Sequence, residues 1–142
     1  MRVSTKGDYG LRALIELAHH YGEGPVQSGQ IAARQSIPVA YLDQLLTTMR
    51  RSGFIRSVRG PQGGHSLARD PDDLKLSDVL TVLEGSLAPV DWLDDEVCPE
   101  KTRAQRDVWL EIRDACVDIL DRTTVADLAR RDNERSGERY YI

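Results

Sequence analysis

Gln44, Thr47 and Arg51 recur at three- and four-residue spacing, which sets an amide, a hydroxyl and a guanidinium on one face of a helix turning about 100° per residue. Projected over 38–52, that face also carries Ala40, with Asp43 and Thr48 flanking it, while Leu42, Leu45, Leu46 and Met49 gather on the opposite side. A helix entering a DNA major groove about 12 Å wide needs such a surface: small residues for close approach, an amide for base edges, a guanidinium for phosphate. Taken alone, the wheel fits an ordinary solvated helix better. The residues that follow shift the balance. Arg59 opens the run Arg59-Gly60-Pro61-Gln62-Gly63-Gly64, which turns sharply because its glycines and proline can neither continue a strand nor start a helix. An arginine with so few side chains beside it suits a narrow minor groove, where negative potential concentrates. The same loop could cradle a nucleotide phosphate, but no Lys-Ser/Thr pair follows and no long helix begins there.

Other reactive side chains form no comparable constellation. His19, His20 and His65 lack metal-ligand spacing and no nucleophile motif is present, so neither an enzyme nor a metal or other cofactor is expected. The pair His19-His20 suits the C-terminal end of a helix dipole. Of the two cysteines, Cys116 falls on an apolar helical stripe, where a thiol is expected to be core packing. Cys98 lies among acidic neighbours that disfavour a reactive thiolate, and it is kept as a redox candidate.

The elements that must hold these residues follow from periodicity and punctuation. Leu11, Leu14, Ile15 and Ala18 mark a first amphipathic helix, with Thr5 and Asp8 as a capping box and Gly22 as its stop. Ser28 caps a second, short helix that turns Ile31 and Ala32 inward, and Pro38 suits the first turn of the third. Strands are expected at 54–58 and 65–68, on either side of the arginine-bearing turn. After a turn at 70–73, Ser77 caps a helix over 78–84 that Gly85 stops. The order is that of a winged helix-turn-helix.

Beyond an acidic, proline-bearing stretch, Val108, Trp109, Ile112, Ala115, Cys116, Ile119 and Leu120 form a clear helical stripe over 102–121, about 30 Å long. A small winged helix cannot cover all of it, so a second copy is expected to pack there. Dimerisation also provides two reading helices about one DNA turn apart. Thr124 and Asp127 form a capping box for a last short helix through Arg130, and 132–139 is polar and expected to be mobile. The predicted fold is mainly α with a small β-hairpin wing. Its divisions are a winged helix-turn-helix DNA-binding domain at 1–85, a linker at 86–100, dimerisation helices at 101–132 and a C-terminal tail at 133–142.

Composition is consistent with this reading. The 142-residue chain has a formal charge of −4, yet residues 1–70 hold nine Lys and Arg against five Asp and Glu, while 71–142 hold ten against eighteen. A DNA-facing module joined to an acidic module that faces away has this asymmetry. No apolar run approaches the roughly 20 residues of a membrane span and no signal-type h-region is present, so a cytoplasmic protein without membrane association is expected.

The opening MRVSTKGDYGLRAL, the run IAARQSIPVAYLDQLL and the wing SVRGPQGG resemble the IscR/NsrR/CymR family of winged-helix transcription regulators, in the family's order and spacing over the whole chain. The resemblance implies a homodimer on a palindromic double-stranded operator. It places Tyr41, Asp43 and Gln44 at the base-reading helix, Arg59 with Gly60 at the minor groove, and Arg2, Ser4 and Lys6 near phosphates; Ser28, Thr47 and Arg51 belong to the same DNA-binding face. Departures from the family pattern are Pro38-Val39-Ala40 at the start of that helix, Asp8 and His65. Members that sense iron, nitric oxide or redox state hold an iron–sulfur cluster through three cysteines in the linker, where this chain has Cys98 alone. The stretch 85–93, the run RDVWLEIRDACVDILDRTT and the ending Tyr140-Tyr141-Ile142 resemble the cluster-free branch that represses cysteine-metabolism genes. That branch implies cysteine synthase (O-acetylserine thiol-lyase) as a partner, for which Tyr141 and Ile142 beside a terminal carboxylate are the candidate contact; packing of the same residues on the dimer is the alternative. An iron–sulfur or thiol-redox sensor of the same family is the alternative function.

Overall fold

The computed structural model describes residues 1–140. Its regular elements are α1 (Thr5–His19), α2 (Ser28–Gln35), α3 (Val39–Arg51), β1 (Ile55–Val58), β2 (Gly64–Leu67), α4 (Leu76–Glu84), α5 (Arg103–Asp121) and α6 (Val125–Tyr140). The helix-turn-helix and the hairpin wing therefore stand where periodicity placed them. β1 and β2 pair antiparallel from Ile55 opposite Leu67 to Val58 opposite Gly64. One core joins Leu14 and Leu17 of α1, Ile31 of α2, Leu42, Leu45 and Met49 of α3, Leu67 of the wing and Val79 and Leu83 of α4.

Several helix ends differ from the sequence expectation by one or two residues. Ser4, not Thr5, caps α1: its backbone is extended and its Oγ accepts the Gly7 N–H. Asp8 is left to pair with Arg12 one turn on, at 2.8 Å. α2 has Gln27 at its N-cap, with Ser28 as its first residue. Ser77 lies inside α4 rather than capping it, because it is buried there and donates its hydroxyl to the Asp121 carboxylate at the end of α5.

The segment after α4 is not featureless. Short 3-10 turns occupy Asp91–Asp94 and Glu100–Thr102, and Leu93 is buried. α5 then leaves the body of the protein with none of its residues buried. The chain returns at its far end, where Leu76 N–H donates to Thr123 C=O and Val125 N–H to Leu74 C=O, both at 2.9 Å. The Thr124–Asp127 box is formed as expected: the Asp127 carboxylate accepts the Thr124 N–H at 2.9 Å and the Thr124 hydroxyl accepts the Asp127 N–H at 3.1 Å.

α6 packs along α1 and buries Val125 fully in the shared core. It does not stop at Arg130. The stretch 132–139, expected to be mobile, is helical, since no proline interrupts it and its Arg and Glu residues favour a helix. His19 lies in the last turn of α1, as expected of a dipole partner, and also meets Asp132 of α6 at 2.8 Å. Among the described residues no helix is long and apolar enough to cross a membrane.

Candidate nucleic-acid interface

α3 divides cleanly into two faces. Leu42, Leu45, Leu46 and Met49 are buried, while Ala40, Asp43, Gln44, Arg50 and Arg51 are exposed. The amide and guanidinium singled out in the sequence thus stand in solvent on a helix whose other side is fixed in the core. Thr47 is half-buried, and its hydroxyl donates to the Asp43 carbonyl at 2.9 Å, the back-bond a threonine makes inside a helix.

Tyr41 is held from behind by residues that the sequence reading passed over. Its ring meets Tyr9 of α1 edge-on, with centroids 5.7 Å apart, and the Arg12 guanidinium lies 5.2 Å from the Tyr9 centroid. Arg12 is itself oriented by Asp8 and by the Gln35 carbonyl at the end of α2. Lys6, Tyr41, Gln44 and Thr48 line a cleft of about 180 Å³ between the first turn of α1 and the exposed face of α3. Arg2 and Ser4 lie further along the same end of α1, and Ser28 opens α2.

A second support joins α1 to α2. The Glu16 carboxylate, buried on α1, accepts from Arg34 Nη1 at 2.8 Å and Gln35 Nε2 at 3.2 Å. Its position was legible, since Glu16 follows Ala13 by three residues and precedes Leu17, on the arc of the helix that faces inward.

The wing is anchored at its base. Val26 exchanges two backbone hydrogen bonds with His65, at 2.8 and 2.7 Å, and Gln27 Nε2 donates to the Pro61 carbonyl at 3.3 Å. Gly64 approaches Val26 so closely that a Cβ would lie 2.5 Å from the Val26 carbonyl oxygen. At the tip Gly60, with φ +108°, accepts the Gly63 N–H at 2.9 Å and leaves Arg59 exposed. His65 Nδ1 meets the Ser57 hydroxyl across the hairpin at 2.8 Å. Burial pushes the His65 pKa below its ordinary value, with Asp43 of α3 acting in the opposite direction and Arg50 adding to the decrease.

Along α5, Val108, Ile112 and Ile119 are exposed, at 54, 38 and 52%, and Trp109, Cys116 and Leu120 are half-buried. Cys116 is therefore not core packing within this chain; only Leu120 of this set reaches the core. Cys98 also differs from expectation. Its sequence neighbours are acidic, but in the fold Arg106 Nε donates to its Sγ at 3.1 Å. Tyr141 and Ile142 lie outside the described residues.

Comparison with known proteins gives this arrangement a lineage. Residues 3–131 match the family model Rrf2, described as an iron-dependent transcriptional regulator. The HTH-type transcriptional regulator CymR of Bacillus subtilis (strain 168) is 42% identical over 143 residues, covering all of both chains. The structure of CymR, the global cysteine regulator of B. subtilis, superposes with a TM-score of 0.79 at 42% identity over 92% of this chain and 98% of that one. IscR of T. potens superposes with a TM-score of 0.77 at 41% identity over 95% and 90%.

Proposed function

The chain belongs to the Rrf2 family of transcriptional regulators, and on that premise we propose that it is a dimeric repressor of cysteine and sulfur-metabolism genes. In this reading it binds a palindromic operator without an iron–sulfur cluster and takes its signal from cysteine synthase. The observation that carries the DNA contact is the pairing of an exposed Gln44 on a core-anchored helix with an exposed Arg59 at the tip of an anchored wing. Phosphate contacts from Arg2, Lys6 and Arg51 would set register, Tyr41, Asp43 and Gln44 would read base edges, and Arg59 with Gly60 would enter the minor groove. The exposed apolar residues of α5 support a homodimer, since a second copy burying them removes apolar surface from water.

A cluster does not fit the donors present. Iron–sulfur clusters are held by sets of thiolates, whereas the segment between α4 and α5 offers Cys98 alone, engaged by Arg106, and the other cysteine, Cys116, lies on α5. Among the described residues no group of three His, Cys, Asp or Glu side chains is arranged to hold a metal ion. The full-length likeness to a global cysteine regulator supports sulfur metabolism as the regulated process, and Tyr141 and Ile142 are the candidate contact for cysteine synthase.

Anaerobic purification followed by promoter footprinting of the same sample tests the reading. A colourless protein that protects a palindromic site upstream of cysteine-metabolism genes is expected. A brown sample with visible absorption overturns the cluster-free assignment, and absence of a protected site overturns operator binding. Deleting Tyr141 and Ile142 should abolish capture of cysteine synthase while leaving the footprint intact.

A further inference from the structure

The last residue of α4 closes over the first turn of α1. Glu84 Oε1 accepts the Ser4 backbone N–H at 3.0 Å and the Ser4 hydroxyl at 2.7 Å, while Ser4 Oγ accepts the Gly7 N–H at 3.3 Å. The approach depends on two glycines about one turn apart. A Cβ at Gly7 would stand 2.2 Å from Glu84 Oε1, and one at Gly10 would stand 2.3 Å from Leu83 Cδ1. Ser4 donates its only hydroxyl hydrogen bond to Glu84, so it has none to donate to a phosphate.

We propose that Glu84 is a positioning residue for DNA binding. By holding Ser4 it fixes the course of the chain from Arg2 to Lys6, and so where those two cations meet the backbone of the duplex. Arg2 and Glu84 line one cavity of about 390 Å³ together with Ser86, Leu87, Ala88 and Pro89. Glu84 is also followed directly by Gly85, which turns the chain out of α4 with φ +83°. A displacement of the segment after α4 therefore reaches the DNA-facing end of α1 through the Glu84 carboxylate. The inference rests on the reading, given above, that the start of α1 faces phosphate.

Charge and position predict opposite signs here, which makes the test sharp. A carboxylate near DNA repels phosphate, so its removal should tighten binding if charge were all that mattered. A positioning role requires that its removal weaken binding. Affinity for a labelled fragment carrying the footprinted site should be followed by fluorescence anisotropy across a KCl series. Glu84→Ala is expected to weaken binding about tenfold and to reduce the salt slope by about one, the signature of a lost phosphate contact. Glu84→Gln, which keeps an acceptor oxygen for Ser4, is expected to stay within about threefold of wild type. Ser4→Ala should move in the same direction as Glu84→Ala, and Lys6→Ala combined with Glu84→Ala should cost less than the two losses added. A folded Glu84→Ala protein that binds as tightly as wild type, or more tightly, overturns the proposal. If that variant does not fold, an unchanged Ser4→Ala protein overturns it instead. Should Lys6→Ala leave affinity and slope unaltered, the underlying reading of α1 fails, and that result is distinct from a failure at Glu84 alone.

Discussion

Arg34 donates at 2.8 Å to a Glu16 carboxylate whose side chain is only 5% exposed, although Arg34 itself is 57% exposed. The hydrogen bond and charge of Glu16 raise the Arg34 pKa further above its ordinary value. The two ends of the pair are not equivalent. Arg34→Ala leaves a buried carboxylate without its cation, whereas Glu16→Gln leaves a guanidinium already in reach of water. Arg34→Ala should therefore cost more stability than Glu16→Gln. Urea unfolding midpoints compared at equal m-value check the order.

At Gly64 the backbone has φ +149° and a Cβ would collide with the Val26 carbonyl. Gly64→Ala should break the Val26–His65 pairing and cost about 1–3 kcal/mol. Because that pairing anchors the wing, operator affinity should fall by more than the loss of stability explains. Thermal unfolding and footprinting of one preparation separate the two effects.

The reading helix and wing were legible because their signals are local. Leu42, Leu45, Leu46 and Met49 repeat at helical spacing, and Gly60 to Gly64 can do little but turn. What escaped the sequence depends on contacts between distant residues. Ser4 displaced Thr5 as the cap of α1 because Glu84, eighty residues away, fixes its backbone. Tyr9 and Arg12 support Tyr41 only once α1 and α3 are packed. Cys98 has acidic neighbours in sequence, but its partner Arg106 comes from the next helix. The length of α6 was underestimated because its polar composition resembles a mobile tail, while its first turns are held by packing on α1.

Arg59 is exposed at the tip of a wing with a firm base. Arg59→Ala should weaken operator binding by about 1–3 kcal/mol and remove minor-groove protection next to an unchanged major-groove footprint. An unaltered affinity by gel shift would eliminate the minor-groove role.

Ile112 lies midway along a helix with no buried residue, so little in the single chain depends on it. If the proposed dimer forms through α5, Ile112→Glu should yield a folded monomer, with a sedimentation coefficient to match and helical content close to wild type. Operator affinity should fall sharply, because each half-site is then bound separately.

The Asp127 pKa lies below the usual carboxylate range, chiefly because the carboxylate accepts the Thr124 backbone N–H. A carboxyl whose pKa is depressed by folding contributes stability above its unfolded pKa of about 3.9 and loses that contribution as pH falls through the depressed value. Asp127→Asn should therefore lower the melting temperature at pH 7, and the gap from wild type should narrow on acidification below pH 4. A gap independent of pH would mean that the charge on Asp127 is unimportant.

The excursion that contains α5 begins at α4 and ends at α6, both of which pack in the core that also holds α3. Leu93 is buried near its entry, and at its exit Asp121 accepts from Ser77 while Val125 enters the core. The helix is thus an excursion with two fixed feet rather than an appendage hung from a flexible strand. Topologically it behaves like an insert, open to exchange or lengthening between regulators wherever the feet are preserved. In the proposed dimer such a graft would change which subunit is chosen and how far apart the two copies of α3 stand, without altering α3 itself.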